Sequence, residues 1–162
     1  MDDDERIRAH LVSVWREARK RFSVGGREGM LLLTDRHLCF VQKTESKKRW
    51  WTVVVDRQAL KLMRSKDTMI LHDGYGEEDL RRDLENTKNT EIAFDDILDV
   101  EYSEKAWGSV LELRYSKDGK DAKFRYMIAR DWVKYPLKEP TRYLKVDWGP
   151  FVEFIRERRI TP

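Results

Sequence analysis

Apolar and polar positions alternate with two different periods along this chain. In residues 3–22, Ile7, Leu11, Val14, Trp15, Ala18 and Phe22 recur at spacings of three and four, which predicts an amphipathic helix. Asp2, Asp3, Asp4 and Glu5 lead it, and Arg16, Arg19, Lys20 and Arg21 end it, an order that suits the helix dipole. A basic amphipathic helix can lie on a membrane; the reading preferred here packs its stripe on the domain's own core. Gly25-Gly26 marks a turn. Strands are then predicted over 30–33 and 37–43, joined at Thr34-Asp35-Arg36, with a charged tip at 44–48 and a returning strand over 49–55, rich in Trp and Val. Residues 58–65 suit a helix or a strand, and 68–72 a short strand.

Beyond Gly74 and Gly76, residues 77–88 predict a helix with leading acids and Asn89 as its cap. Only Leu80 and Leu84 lie on its apolar side, so it is expected to ride on the surface. Strands follow near 91–94, 98–103, 109–116 and 121–129, the last two joined by the hairpin signal Asp118-Gly119. Residues 130–145 read as a loop holding Pro136 and Pro140. Asp147 or Gly149, then Pro150, start a final helix to about residue 158, whose apolar face is Trp148, Phe151, Val152 and Ile155.

Composition adds limits. The 162 residues suit one domain, and 39% are charged, which predicts a dense ionic surface. Amides are few (Gln42, Gln58, Asn86, Asn89), a weak pointer to heat adaptation. Cys39 is the sole cysteine, so no internal disulfide forms, and its strand setting predicts a buried inert thiol. The acidic start is unlike a signal peptide, and no apolar run has the length of a membrane span. A cytoplasmic protein is expected, with peripheral membrane association open. The net charge of +3 divides unevenly: +7 over residues 1–66, −10 over 67–112 and +6 over 113–162. Either the surface has two poles, or folding pairs the segments; the second reading is favoured.

The order of elements resembles the pleckstrin-homology-like superfamily, above all its GRAM and bacterial PH-type branches. Gly29, Leu31, Leu33, Thr34, Asp35, Leu38 and Phe40 match a Gly-x-Leu-x-Leu-Thr-x-x-Arg-Leu-x-Phe-like hairpin, with Arg36-His37-Leu38 in place of its Arg-Leu pair. Ile92, Asp96, Ile97 and Val100 match an Ile-x-x-x-Asp-Ile-x-x-Val corner. The likeness covers roughly 23–56 and 90–159; lipocalin-like and other small barrels share such strands. It implies an α+β fold: a bent antiparallel sheet or barrel capped by the C-terminal helix. Here it carries an extra N-terminal helix (1–22) and a helical insertion (57–89) in a single domain. It also implies a non-enzymatic binding module for phosphoinositides, peptides or other domains.

No catalytic constellation supports an enzyme. His10, His37 and His72 fall on different elements without metal-ligand spacing, and no cofactor is expected. Gly74-x-Gly76 precedes acids that would repel a phosphate, and Asp95-Asp96 suits a corner. Two surfaces are candidates. Lys43, Lys47, Lys48 and Arg49, with Trp50 and Trp51, suit anion or ligand binding at a hairpin tip; the competing reading is a solvated tip. Trp132, Lys134, Tyr135, Lys138, Arg142, Tyr143 and Lys145 interleave aromatics with cations and suit a partner-binding loop, or a cover over the barrel end. The function expected is recognition of a protein partner or an anionic headgroup; the alternative is single-stranded nucleic-acid binding through both surfaces.

Overall fold

The densest apolar runs become strands buried on both faces. A computed structural model describes residues 1–18, 26–44, 47–133, 136 and 138–159, the side chains of 47–50 excepted. Strands β1 (Ile7–Ala18), β2 (Gly26–Thr34) and β3 (His37–Val41) are followed by helices α1 (Lys47–Ser65) and α2 (Glu77–Asp83). Then come β4 (Thr90–Ala93), β5 (Ile97–Lys105), β6 (Gly108–Lys117), β7 (Lys120–Val133), β8 (Glu139–Tyr143) and α3 (Gly149–Arg158). The sheet is antiparallel, in the order β4-β3-β2-β1-β7-β6-β5, with β8 added beside β7. Its path ends at β4 and β5, so it is open. Among the described residues no helix is long and apolar enough to cross a membrane.

The predicted N-terminal helix is instead β1. A bulge between Leu11 and Val14, with Ser13 at φ 57°, shifts the strand's alternation by one residue. Ala9, Leu11 and Val14 therefore share the inner face, while Ile7, Val12 and Trp15 face other clusters. Two-sided burial plus a bulge imitates the three-and-four spacing of a helix.

The predicted strand over 49–55 is helical, as part of α1. Val54, Gln58 and Leu62, spaced four apart, are its buried stripe. Residues 68–72 form no strand, although the Ile70 carbonyl accepts a bond from His10 N at 2.7 Å. Residues 130–145 are not a loop: much of this stretch pairs as the β7–β8 hairpin. The Asp118-Gly119 turn forms as expected, with φ of 55° and 76°. So does α3, which lays Phe151, Val152 and Ile155 on the inner core with Trp148.

The helices between β3 and β4 are integral to the fold. They cover the outer face of β1–β3, where Val54, Tyr75 and Leu80 pack with Val12, Met30, Leu32 and Cys39. Leu80 is fully buried, so α2 does not ride on the surface as its narrow stripe suggests. The Tyr75 hydroxyl donates to Asp83 at 2.6 Å. Asn89 caps the shortened helix, donating to Asp83 O at 2.7 Å and Lys43 O at 2.9 Å, and accepting from Gln42 N at 2.8 Å.

At Val12, β1 has neither β7 nor an uninterrupted β2 partner, because of the bulge. Gln58 of α1 supplies both missing bonds: Oε1 accepts from Val12 N at 2.7 Å and Nε2 donates to Val12 O at 2.7 Å. His72 Nε2 lies 3.1 Å from the same Oε1, and the His72 and His10 rings meet edge to face at 5.4 Å. Burial holds the His10 pKa down at about 3, helped by His72, and that of His72 at about 4, so both are neutral near pH 7. Glu5 is buried too, but bonds from Thr34, Asp2 N and His37 outweigh that burial and bring its carboxyl to about 2.

Gln58→Leu should cost about 2–4 kcal/mol, since two buried backbone groups lose their partners. Urea unfolding at constant m-value checks this; a loss under about 0.5 kcal/mol would show that water replaces the amide. Acid should weaken the fold early. The histidines' folded pKa values lie below the unfolded 6.5, so the unfolded chain takes up protons first as pH falls. Each histidine then destabilises the fold progressively as pH falls from about 6.5 toward its folded value. Glu5 adds to this only below its unfolded 4.5. His72→Gln should flatten the stability curve between pH 6.5 and 4; an unchanged slope would clear His72 of this role.

Candidate anion-binding rim

The bulge at Ser13 has a second effect. It turns Arg16, not Trp15, toward the inner face, where β1 pairs Arg16 with Arg27 of β2 and Tyr126 of β7. The guanidinium carbon sits 4.4 Å from the centroids of both Phe40 and Phe124, clasped between two rings. Its Nη1 donates to Thr90 Oγ1 at 3.1 Å, and no carboxylate among the described residues pairs with it. Burial depresses its pKa, and the nearby Arg27 acts in the same direction. The Tyr126 hydroxyl in this layer is buried and has no hydrogen-bond partner among the described residues. Arg16, Tyr115 and Phe124 are half-buried, so here the inner core meets solvent.

Gly29 makes this arrangement possible. A Cβ there would lie 2.8 Å from the Phe40 ring and 2.6 Å from Val41 O. Without it, Phe40 lies flat over β2 and reaches the guanidinium.

More cations gather at this end. The β6–β7 register sets Lys117 opposite Lys120, and their alternation continues that of Leu113 and Tyr115 on β6 and of Phe124 and Ala122 on β7. Thus Arg16 faces Arg27 and Lys117 faces Lys120, two like-charged cross-strand pairs at one end of the sheet. Such pairs oppose folding. Arg27, Lys117 and Lys120 have no acidic partner among the described residues. Lys120 lies six residues along β7 from Tyr126, the cross-strand partner of Arg16, so the guanidinium alone meets the aromatic floor and the lysines stand beyond it.

The sequence-predicted residues lie elsewhere. Lys43 is exposed just beyond β3, with Asn89 fixing its backbone, and it borders a 330 Å³ cleft with Thr44, Arg82, Asp83 and Asn86. Lys47, Lys48, Arg49 and Trp50 form the first turn of α1 and not a hairpin tip, so the expected strand-loop-strand is absent there. Three cations at a helix's positive end add nothing to its stability.

Of the predicted loop, Trp132 stacks edge to face on Trp15 at 5.8 Å and donates to Ser13 Oγ at 3.0 Å. Lys138 pairs with Glu28 at 2.8 Å and lies 5.1 Å from the Trp132 ring. Tyr143 is half-buried against Trp107, 5.4 Å away, and burial pushes its phenol up to about 12. Arg142 is exposed, 3.6 Å from Asp131. Lys134 and Tyr135 lie outside the described residues. These contacts place Trp132 and Tyr143 over Trp15, Val110 and Met127.

Sequence reading missed Arg16 because the helical assignment put it on a solvated face. Lys117 and Lys120 were more legible, since they flank a recognised two-residue turn. No protein-family model matches this chain, and neither does any curated protein.

If Arg16 serves binding and not folding, Arg16→Met should leave stability within about 1 kcal/mol. The lost cation–π contacts are offset by removal of a half-buried unpaired charge. Thermal and urea unfolding check this, and a loss above about 3 kcal/mol would make Arg16 a structural residue.

Proposed function

We propose that this chain is a non-catalytic binding module with a pleckstrin-homology-like fold, recognising a phosphate-bearing anionic headgroup at the Arg16 rim. The fold reading is supported by seven successive antiparallel strands, β1 to β7, and by a following helix that packs on the inner core. The helices between β3 and β4, and strand β8, are additions to that plan. The observation that carries the binding reading is Arg16: a guanidinium clasped by Phe40 and Phe124, with no carboxylate partner among the described residues. A fixed guanidinium suits a phosphate oxygen because its planar donors match two acceptors at once. Arg27, Lys117 and Lys120 would add long-range attraction that weakens with salt. On this reading the protein acts at the surface of an anionic membrane, from the cytoplasmic side.

The test is titration with soluble inositol phosphates, with vesicles bearing phosphoinositides, and with single-stranded RNA, at low and high salt. Wild type should bind the first two. Arg27→Glu with Lys120→Glu should weaken binding by about 1 kcal/mol or more per cation, without a change in melting. Arg16→Met should lose affinity for soluble inositol phosphate as well. Binding of RNA alone would assign the rim to nucleic acid. Silence with all three would end the headgroup reading.

A further inference from the structure

The outer side of α1 presents a surface that the rim reading does not use. Val54, Gln58 and Leu62 point inward, and the opposite side shows Val53 at 52%, Leu60 at 57% and Met63 at 65% exposure. Leu71, 54% exposed, joins them where Lys61 Nζ bonds the Leu71 carbonyl at 3.1 Å. Among the described residues of this face the exposed apolar side chains are aliphatic, and each lies within a few residues of a cation. Between residues 47 and 66 stand seven Lys or Arg and one acid, Asp56. Along the helix flank, Lys66, Arg130 and Lys145 border a 330 Å³ cleft floored by Leu62, Met63 and Leu144. These three cations have no acidic partner among the described residues.

We propose that this outer face of α1 docks on an anionic bilayer, its aliphatic side chains entering the interface and its cations meeting lipid phosphates. The charge complementarity is one-sided, and a strongly basic helix face with an aliphatic stripe fits the two layers of a lipid interface. The aliphatic stripe has no use against nucleic acid, where aromatic stacking and cations suffice. A protein partner would have to match Arg57, Lys61 and Arg64, all exposed, as well as the stripe. The proposal goes beyond the headgroup reading, since it needs a bilayer and a different face.

Cys39 makes the test clean, because it is buried and burial pushes its thiol pKa upward. A cysteine placed by Met63→Cys can therefore be labelled alone with an environment-sensitive dye. The dye should shift to the blue with phosphatidylserine vesicles and not with phosphatidylcholine vesicles. In the unlabelled protein, Leu60→Glu with Met63→Glu should weaken partition to phosphatidylserine vesicles about ten-fold. Soluble inositol phosphate, which reads the rim alone, should bind that variant as it binds wild type. An unshifted dye on anionic vesicles would overturn the proposal. So would equal partition of the double variant and wild type. Loss of a co-purifying protein with vesicle binding intact would give the face to a protein partner, also against the proposal.

Discussion

Everything in this fold turns on the backbone of Val12. Strand β1 is shared by two parts of the sheet: β2 follows it along most of its length, whereas β7 joins it only from Val14 onward. Where the two parts separate, a buried N–H and C=O would be left bare. The Gln58 amide closes that gap as one rung of a strand would. This fixes α1 across the outer face, and α1 in turn buries the outer sides of Met30, Leu32 and Cys39. The neighbouring extra residue at Ser13 decides which side chains beyond it face inward.

That geometric decision sets up an electrostatic one. A guanidinium at the edge of an apolar core is costly unless its charge is met, and here two aromatic faces and a threonine hydroxyl meet only part of the demand. The histidines beside Gln58 solve the same problem in the opposite way, by remaining neutral. Arginine has no such escape, because it does not deprotonate in the accessible range. The rim therefore keeps its charge whatever the pH, while the interior around His72 does not.

The second half of the chain was largely legible in the sequence. The strands from 91 to 129, the turn at Asp118-Gly119 and the closing helix rest on local signals: alternation, a two-residue turn, and proline in a first turn. The first half misled for physical reasons. Residues 7–18 are buried on both faces and carry a bulge, and no window of sequence separates that from a helix. Residues 49–55 hold β-branched and aromatic side chains, yet form a helix, because the stripe Val54-Gln58-Leu62 meets β1. The two errors have a common origin, since each segment takes its conformation from the other. The aromatics of 130–145 stand out in the sequence, but the packing of Trp132 on Trp15 depends on β1, whose pattern imitates a helix. The same imitation hides Arg16, which only the bulge turns inward.

Asn89 has one further meaning. It bonds the chain both where it leaves β3 and where α2 ends, just before β4 begins, and Phe40 still pairs with Thr90 as neighbours in a tight hairpin do. In topological terms, residues 42–89 are an enlarged turn. Chain closure depends only on the logarithm of loop length, so replacing a four-residue turn by this segment costs about 2 kcal/mol of entropy. The burial of Val54, Leu62, Tyr75 and Leu80 can offset that. The segment thus adds a helical layer, and with it a new outer surface, while β3 and β4 keep the pairing of a tight hairpin.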